Sequence, residues 1–146
     1  MRRLKQSGAI VSRISPNSPC PCGLDAKYKR CCGRFHAGSP APTAESLMRS
    51  RYSAYAAGEA AYILATTDPL GPHFERDEAA WLRSVQRFCS QTGFVGLRVL
   101  RAEEEGALGL VAFEASLEVG GQRRLMTELS RFRKEGDRWL YSGPQG

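Results

Sequence analysis

Near residue 93 the spacing of apolar residues along this chain changes, and that change sets its fold class. Before it, apolar positions recur at helical intervals: Leu47, Met48, Tyr52, Tyr55 and Ala56 in one segment, and Trp81, Leu82, Val85, Phe88 and Cys89 in another. After it the period is two. Val95, Leu97 and Val99 alternate, and then Val111, Phe113, Ala115, Leu117 and Val119 alternate with Ala112, Glu114, Ser116 and Glu118. Helices first and strands afterwards imply an α+β domain, with helices packed on one face of an antiparallel meander.

The punctuation refines this reading. Thr43 is a candidate helix N-cap with Glu45 in the first turn, and Gly58 a stop. A short helix over residues 60–66 ends before Asp68-Pro69, and a third starts from an Asp77 cap and is expected to close at Gly93. Glu103 to Gly106 should form a charged turn and Gly120-Gly121 a hairpin turn. A return strand then spans residues 123–133, and a short last strand, residues 138–141, carries Trp139.

A different pattern precedes the helices: Cys20-Pro-Cys22-Gly, seven intervening residues, then Cys31-Cys32-Gly33. Two close cysteine pairs across a short loop can offer four soft ligands to a tetrahedral Zn²⁺. Gly23 and Gly33 sit where the backbone would turn sharply beside each pair. The spacing within each pair is tighter than the usual two residues, and two disulfides are the competing reading. No apolar h-region follows the basic N-terminus and no apolar run approaches membrane-spanning length, so the expected compartment is the cytoplasm, which disfavours disulfides. Cys89, on the apolar stripe of a helix, reads as core.

Charge is uneven. Of the net +6, residues 1–38 hold eight basic side chains against Asp25 alone, and the remainder is close to neutral. Lys27, Lys29, Arg30 and Arg34 are candidate partner-binding residues, for an acidic protein, a ribosome or, more weakly, nucleic acid stacked on Tyr28 and Phe35. They have a local role too, because four thiolates around one Zn²⁺ leave a site charge of about −2.

The run Pro19-Cys-Pro-Cys-Gly-Leu-Asp-Ala-Lys-Tyr-Lys-Arg-Cys-Cys-Gly33 resembles the SEC-C motif, the zinc module at the C-terminus of the SecA translocation ATPase, with Leu24-Asp25 where Ser-Gly is usual. Residues 42–67, above all Leu47-Met-Arg-Ser-Arg-Tyr-Ser-Ala-Tyr55, resemble the YchJ-like family. That resemblance implies a SEC-C knuckle over residues 1–38 and an NTF2-like cone over residues 39–146, joined through a linker at residues 36–43. It also implies Cys20, Cys22, Cys31 and Cys32 as ligands of a structural Zn²⁺, with His36 outside the set.

Relatives of the NTF2-like fold often hold a pocket between sheet and helices. The candidates for it are Tyr52, Tyr55, Trp81 and Glu128, with Asp68, His73 and Glu114 as weaker ones; no pair has a spacing that specifies catalysis. Glu128 shares a strand face with Met126, Ser130 and Phe132, and Arg49 or Arg51 is its expected partner. Two functions follow as expectations. The first is a binding or adaptor protein that uses the basic knuckle. The alternative is a small-molecule binder or enzyme that uses the pocket.

Overall fold

A computed structural model describes residues 14–145; the basic lead-in over residues 1–13 and Gly146 lie outside the described residues. A 3₁₀ turn, Tyr28–Arg30, runs into α1 (Cys32–His36). Helices α2 (Ala44–Ala57), α3 (Ala60–Ala65) and α4 (Glu78–Gln91) follow. Strands β1 (Thr92–Glu105), β2 (Leu108–Val119), β3 (Gln122–Glu135) and β4 (Arg138–Pro144) form one antiparallel sheet in the order β1-β2-β3-β4. No helix among the described residues is long and apolar enough to cross a membrane.

Helix α2 starts where the sequence places it. The Thr43 hydroxyl accepts from the Ser46 amide at 3.0 Å, and the Ser46 hydroxyl accepts from the Thr43 amide at 2.9 Å, a reciprocal cap. A carboxylate from the sheet adds to it: Glu104 Oε2 accepts from the Ala44 amide at 2.8 Å. Gly58, at φ +77°, ends the helix in the left-handed region. Leu47, Met48 and Tyr52 of α2 pack on Val111, Phe113, Ala115 and Leu117 of β2, with Phe132 and Trp139 beside them. Each such side chain contributes about 1.5–3 kcal/mol on burial. A second cluster, Ala54, Ala60, Ile63, Val85 and Cys89, joins the three longer helices.

Three local expectations are corrected. Val95 does not alternate with Leu97 and Val99, because a bulge between Phe94 and Gly96 leaves it without a partner on β2 and half-exposed. The inner-face residues of β1 are therefore Phe94, Leu97 and Val99, and a second bulge lies at Leu100. Such bulges bend a strand and increase its local twist. Gly93 lies inside β1; α4 ends at Gln91 as Thr92 turns directly to extended backbone. Glu103–Glu105 continue β1, and the turn is Gly106-Ala107. The segment read as a linker, residues 36–43, is short and mostly exposed, and Ala41 within it is buried in the main core.

Candidate functional site

The cysteine loop closes on backbone hydrogen bonds. The Cys20 amide donates to Ala26 O at 2.9 Å and the Tyr28 amide to Ser18 O at 2.8 Å, flanking a bridge between Pro19 and Lys27. Gly23 turns the chain at φ +91°. Gly33 serves another purpose: a Cβ there would lie 2.7 Å from Tyr28 O, so only glycine lets α1 approach the turn before it.

This framework gathers Cys20, Cys22, Cys31 and Cys32, all buried, with their sulfurs within 4.8 Å of one another. Cys22 Sγ and Cys31 Sγ are 3.6 Å apart, and none of the chain's five cysteines forms a disulfide. A tetrahedral ion at about 2.3 Å from each sulfur sets sulfur–sulfur edges of about 3.8 Å, so the arrangement fits a single metal ion. The charge balance points the same way. Thiols of Cys22 and Cys32 donate to Cys20 and hold it far below the usual thiol range. Donation to Cys20 drives Cys32 far above it, while burial and then the neighbouring Cys22 and Cys20 push Cys31 up to about 12. Several thiolates held this close together call for a cation between them.

The knuckle is seated on α2. Cys20 Sγ lies 3.5 Å from Ser53 Oγ, and Arg49 Nη1 donates to Cys22 O at 2.8 Å. His36 Nε2 donates to Ser50 O at 2.8 Å, which leaves Nδ1 to accept from the Tyr28 hydroxyl. Burial lowers the His36 pKa, in keeping with a neutral ring that acts as a clasp rather than a ligand. Lys27, Lys29 and Arg30 project outward, exposed and without an ion pair among the described residues. Arg34 is tethered, donating to Cys31 O at 3.1 Å and lying 4.8 Å from the centre of the Phe35 ring. Tyr28 and Phe35 are buried, so neither offers a stacking face to a nucleic acid.

The opposite side of α2 looks into an open cavity of about 570 Å³ between the sheet and α4. The structure brings all four leading candidates, Tyr52, Tyr55, Trp81 and Glu128, to its walls. Burial pushes the Tyr52 hydroxyl up to about 12, with the Gly96 backbone amide offsetting this in part. Glu128 Oε2 accepts from the hydroxyls of Ser130 and Tyr141, each at 2.6 Å. Burial, then this donation, raise the Tyr141 pKa well beyond the usual range.

The weaker candidates separate. His73 reaches the rim, stacked 5.8 Å from Tyr141. Asp68 is outside the cavity, with both oxygens held by Arg133 at 3.0 and 2.7 Å. Glu114 pairs with Arg98 and likewise lies outside. The expected arginine partner of Glu128 is not an ion pair. Arg49 bonds Glu45 and Cys22 O instead. Arg51 is buried, and its Nη1 donates to Ile63 O, Thr66 Oγ1 and Thr67 Oγ1 at 3.0, 2.7 and 3.2 Å. Its guanidinium carbon lies 4.6 Å over the Tyr141 ring.

Arg51 and Tyr141 meet because residues 66–68 pair with β4: the Tyr141 amide donates to Thr66 O and the Asp68 amide to Tyr141 O, both at 2.8 Å. Sequence reading singled out Arg51 as a possible partner of Glu128 and missed Tyr141. An aromatic at period two from Trp139 was the one available signal.

Comparison with known proteins matches these two halves. Residues 43–144 fit the family model described as "YchJ, middle NTF2-like domain", and residues 17–34 fit the SEC-C motif. A UPF0225 protein of Xanthomonas oryzae pv. oryzae is 44% identical, with 86% of this chain and 93% of that protein aligned. The solution structure of a SEC-C motif containing protein from Rhodopseudomonas palustris superposes with a TM-score of 0.76 at 36% identity, covering 88% of this chain and 98% of that one. The crystal structure of another from Psychrobacter arcticus superposes with a TM-score of 0.74 at 25% identity, covering 89% and 83%.

Proposed function

The chain belongs to the YchJ-like UPF0225 family, a SEC-C motif joined to an NTF2-like domain, and on that premise we propose that it is a zinc-stabilised protein that binds a small molecule in its NTF2-like cavity. The observation that carries this reading is the open cavity of about 570 Å³, in which Glu128, Tyr141 and Arg51 converge beneath aromatic walls. Ligand sites are concave, mostly apolar and supplied with a few convergent polar groups, as this one is. The fold alone assigns no chemistry.

Zinc is the ion that four buried sulfurs select, since a closed thiolate tetrahedron suits it better than harder cations. With all four positions filled by protein, the ion's role is structural. The test has two arms. Metal analysis of the purified protein should find one zinc per chain, lost in Cys22→Ser and Cys31→Ser; protein that retains no zinc sinks the metal assignment. Fragment screening by protein-observed NMR should shift the amides around Tyr55, Trp81 and Glu128 together. A screen that leaves this group of residues silent overturns the cavity reading.

A second reading rests on Lys27, Lys29 and Arg30, which are exposed and unpaired among the described residues. They suit contact with an acidic protein surface or a ribosome through the knuckle. Such binding should weaken steeply with added salt and disappear when zinc is chelated.

A further inference from the structure

We infer that the cavity ligand is an uncharged molecule with an apolar, aromatic-sized body and a head group that both accepts and donates hydrogen bonds, such as a carboxamide or lactam. The inference rests on the cavity reading above and specifies its ligand.

Its basis is an unfinished pair of charges at the cavity floor. Arg51 is 8% exposed, and its three hydrogen bonds all leave from Nη1. Its Nε and Nη2 take no partner among the described residues. Glu128 is the mirror case: both of its hydrogen bonds arrive at Oε2, and Oε1 receives none among the described residues. Arg51 and Glu128 are close enough to interact electrostatically, yet they form no ion pair. Both line the same cavity. An open donor on the buried Arg51 and an open acceptor on the half-buried Glu128, both on the cavity wall, are groups that a ligand satisfies.

The balance of charge decides the ligand's class. A carboxylate would be drawn to Arg51 and repelled by Glu128; an amine would meet the reverse. Either would leave water for walls made of Tyr55, Trp81, Phe88 and Phe94. Removing a charge from water without a clear counter-charge is costly. A neutral head with an adjacent carbonyl and N–H meets both open groups and brings no charge of its own. Glu75 and Asp77 also line the cavity, but they are exposed and screened by solvent.

The test uses three probes of similar size, phenylacetamide, phenylacetate and phenethylamine, titrated by NMR into the zinc-loaded full chain at neutral pH. The amide should bind at least about tenfold tighter than either charged analogue, the size of one buried charge-assisted hydrogen bond. Glu128→Gln leaves Arg51 as the one charge at the floor, so the preference should turn towards phenylacetate. Ser84→Trp, which places a bulky ring in the cavity wall, should abolish binding of all three. Phenylacetate or phenethylamine binding tightest to the wild-type chain, and lost in Ser84→Trp, overturns the inference but spares the cavity reading. No binding by any probe, or binding indifferent to Ser84→Trp, overturns both. The wild-type ranking decides even if Glu128→Gln fails to fold.

Discussion

At the scale of single residues, a two-point ion pair lies outside both candidate sites. Arg133 holds both oxygens of the buried Asp68, and the Ser142 hydroxyl and Leu70 amide add to it at 2.7 and 3.0 Å. Hydrogen bonding to Arg133 is the main cause that keeps the Asp68 carboxyl far below the usual carboxylate range. The unfolded chain therefore takes up this proton more readily than the folded one. The contribution of Asp68 to stability is fully present above about pH 5 and is lost progressively as pH falls from the ordinary carboxyl range down through the lowered folded value. Asp68→Asn should show a lower melting temperature at neutral pH and a flatter acid dependence than wild type, measured by thermal denaturation across that range. His36→Ala should cost about 1–3 kcal/mol in chemical denaturation, since it removes the hydrogen bonds of the ring to the Tyr28 hydroxyl and the Ser50 carbonyl. Neither contact could be read in the sequence. Asp68 and Arg133 are 65 positions apart, and only strand register brings them together. Glu128 was legible, because a period of two places a residue on a face without knowledge of what lies opposite.

At the scale of elements, the local code was readable wherever it is written in one stretch of chain. Thr43, Gly58, Asp77 and Gly120-Gly121 all do what their types and positions predict. The bulges at Val95 and Leu100 were not legible, since a bulge is a property of two strands and the facing residues lie further along the chain on β2. The consequence was one misassigned face at the start of β1. Gly33 shows a related limit: its position beside the cysteines was visible, but the reason is a carbonyl in the preceding turn. Gly33→Ala should force Tyr28 and α1 apart, weakening metal retention against a chelator and lowering the melting temperature. Gly23→Ala strains a left-handed turn on the other arm of the knuckle and serves as the comparison. If Gly33→Ala retains metal as tightly as wild type, the close approach has no energetic weight.

At the scale of the whole molecule, the knuckle and the cone are docked through several contacts with α2. Cys20, Cys22 and His36 each touch α2, and Phe35 enters the core below it. Stripping the metal should therefore lower the melting temperature of the entire chain in a single transition, seen by near-UV circular dichroism of the buried Trp139 as well as by far-UV signal. Two separate transitions would mean that the knuckle folds and unfolds alone. The family resemblance anticipated both modules in order along the chain, but their mutual docking depends on Ser50, Ser53 and Arg49, which carry no signature of it.

Helix α2 stands between the two sites, and nine of its fourteen residues are buried. Its Arg49, Ser50 and Ser53 serve the metal side, and its Met48, Arg51, Tyr52 and Tyr55 serve the cavity. Helix α4, which faces the same cavity, buries only Val85 and Cys89. The two helices are thus unequal as material for adaptation. A lineage that needs a new ligand has little room to alter α2 without disturbing the knuckle, whereas α4 can exchange Ala80, Ser84 or Phe88 at little structural expense. Diversification of this protein should run along α4, with α2 as its inherited constant.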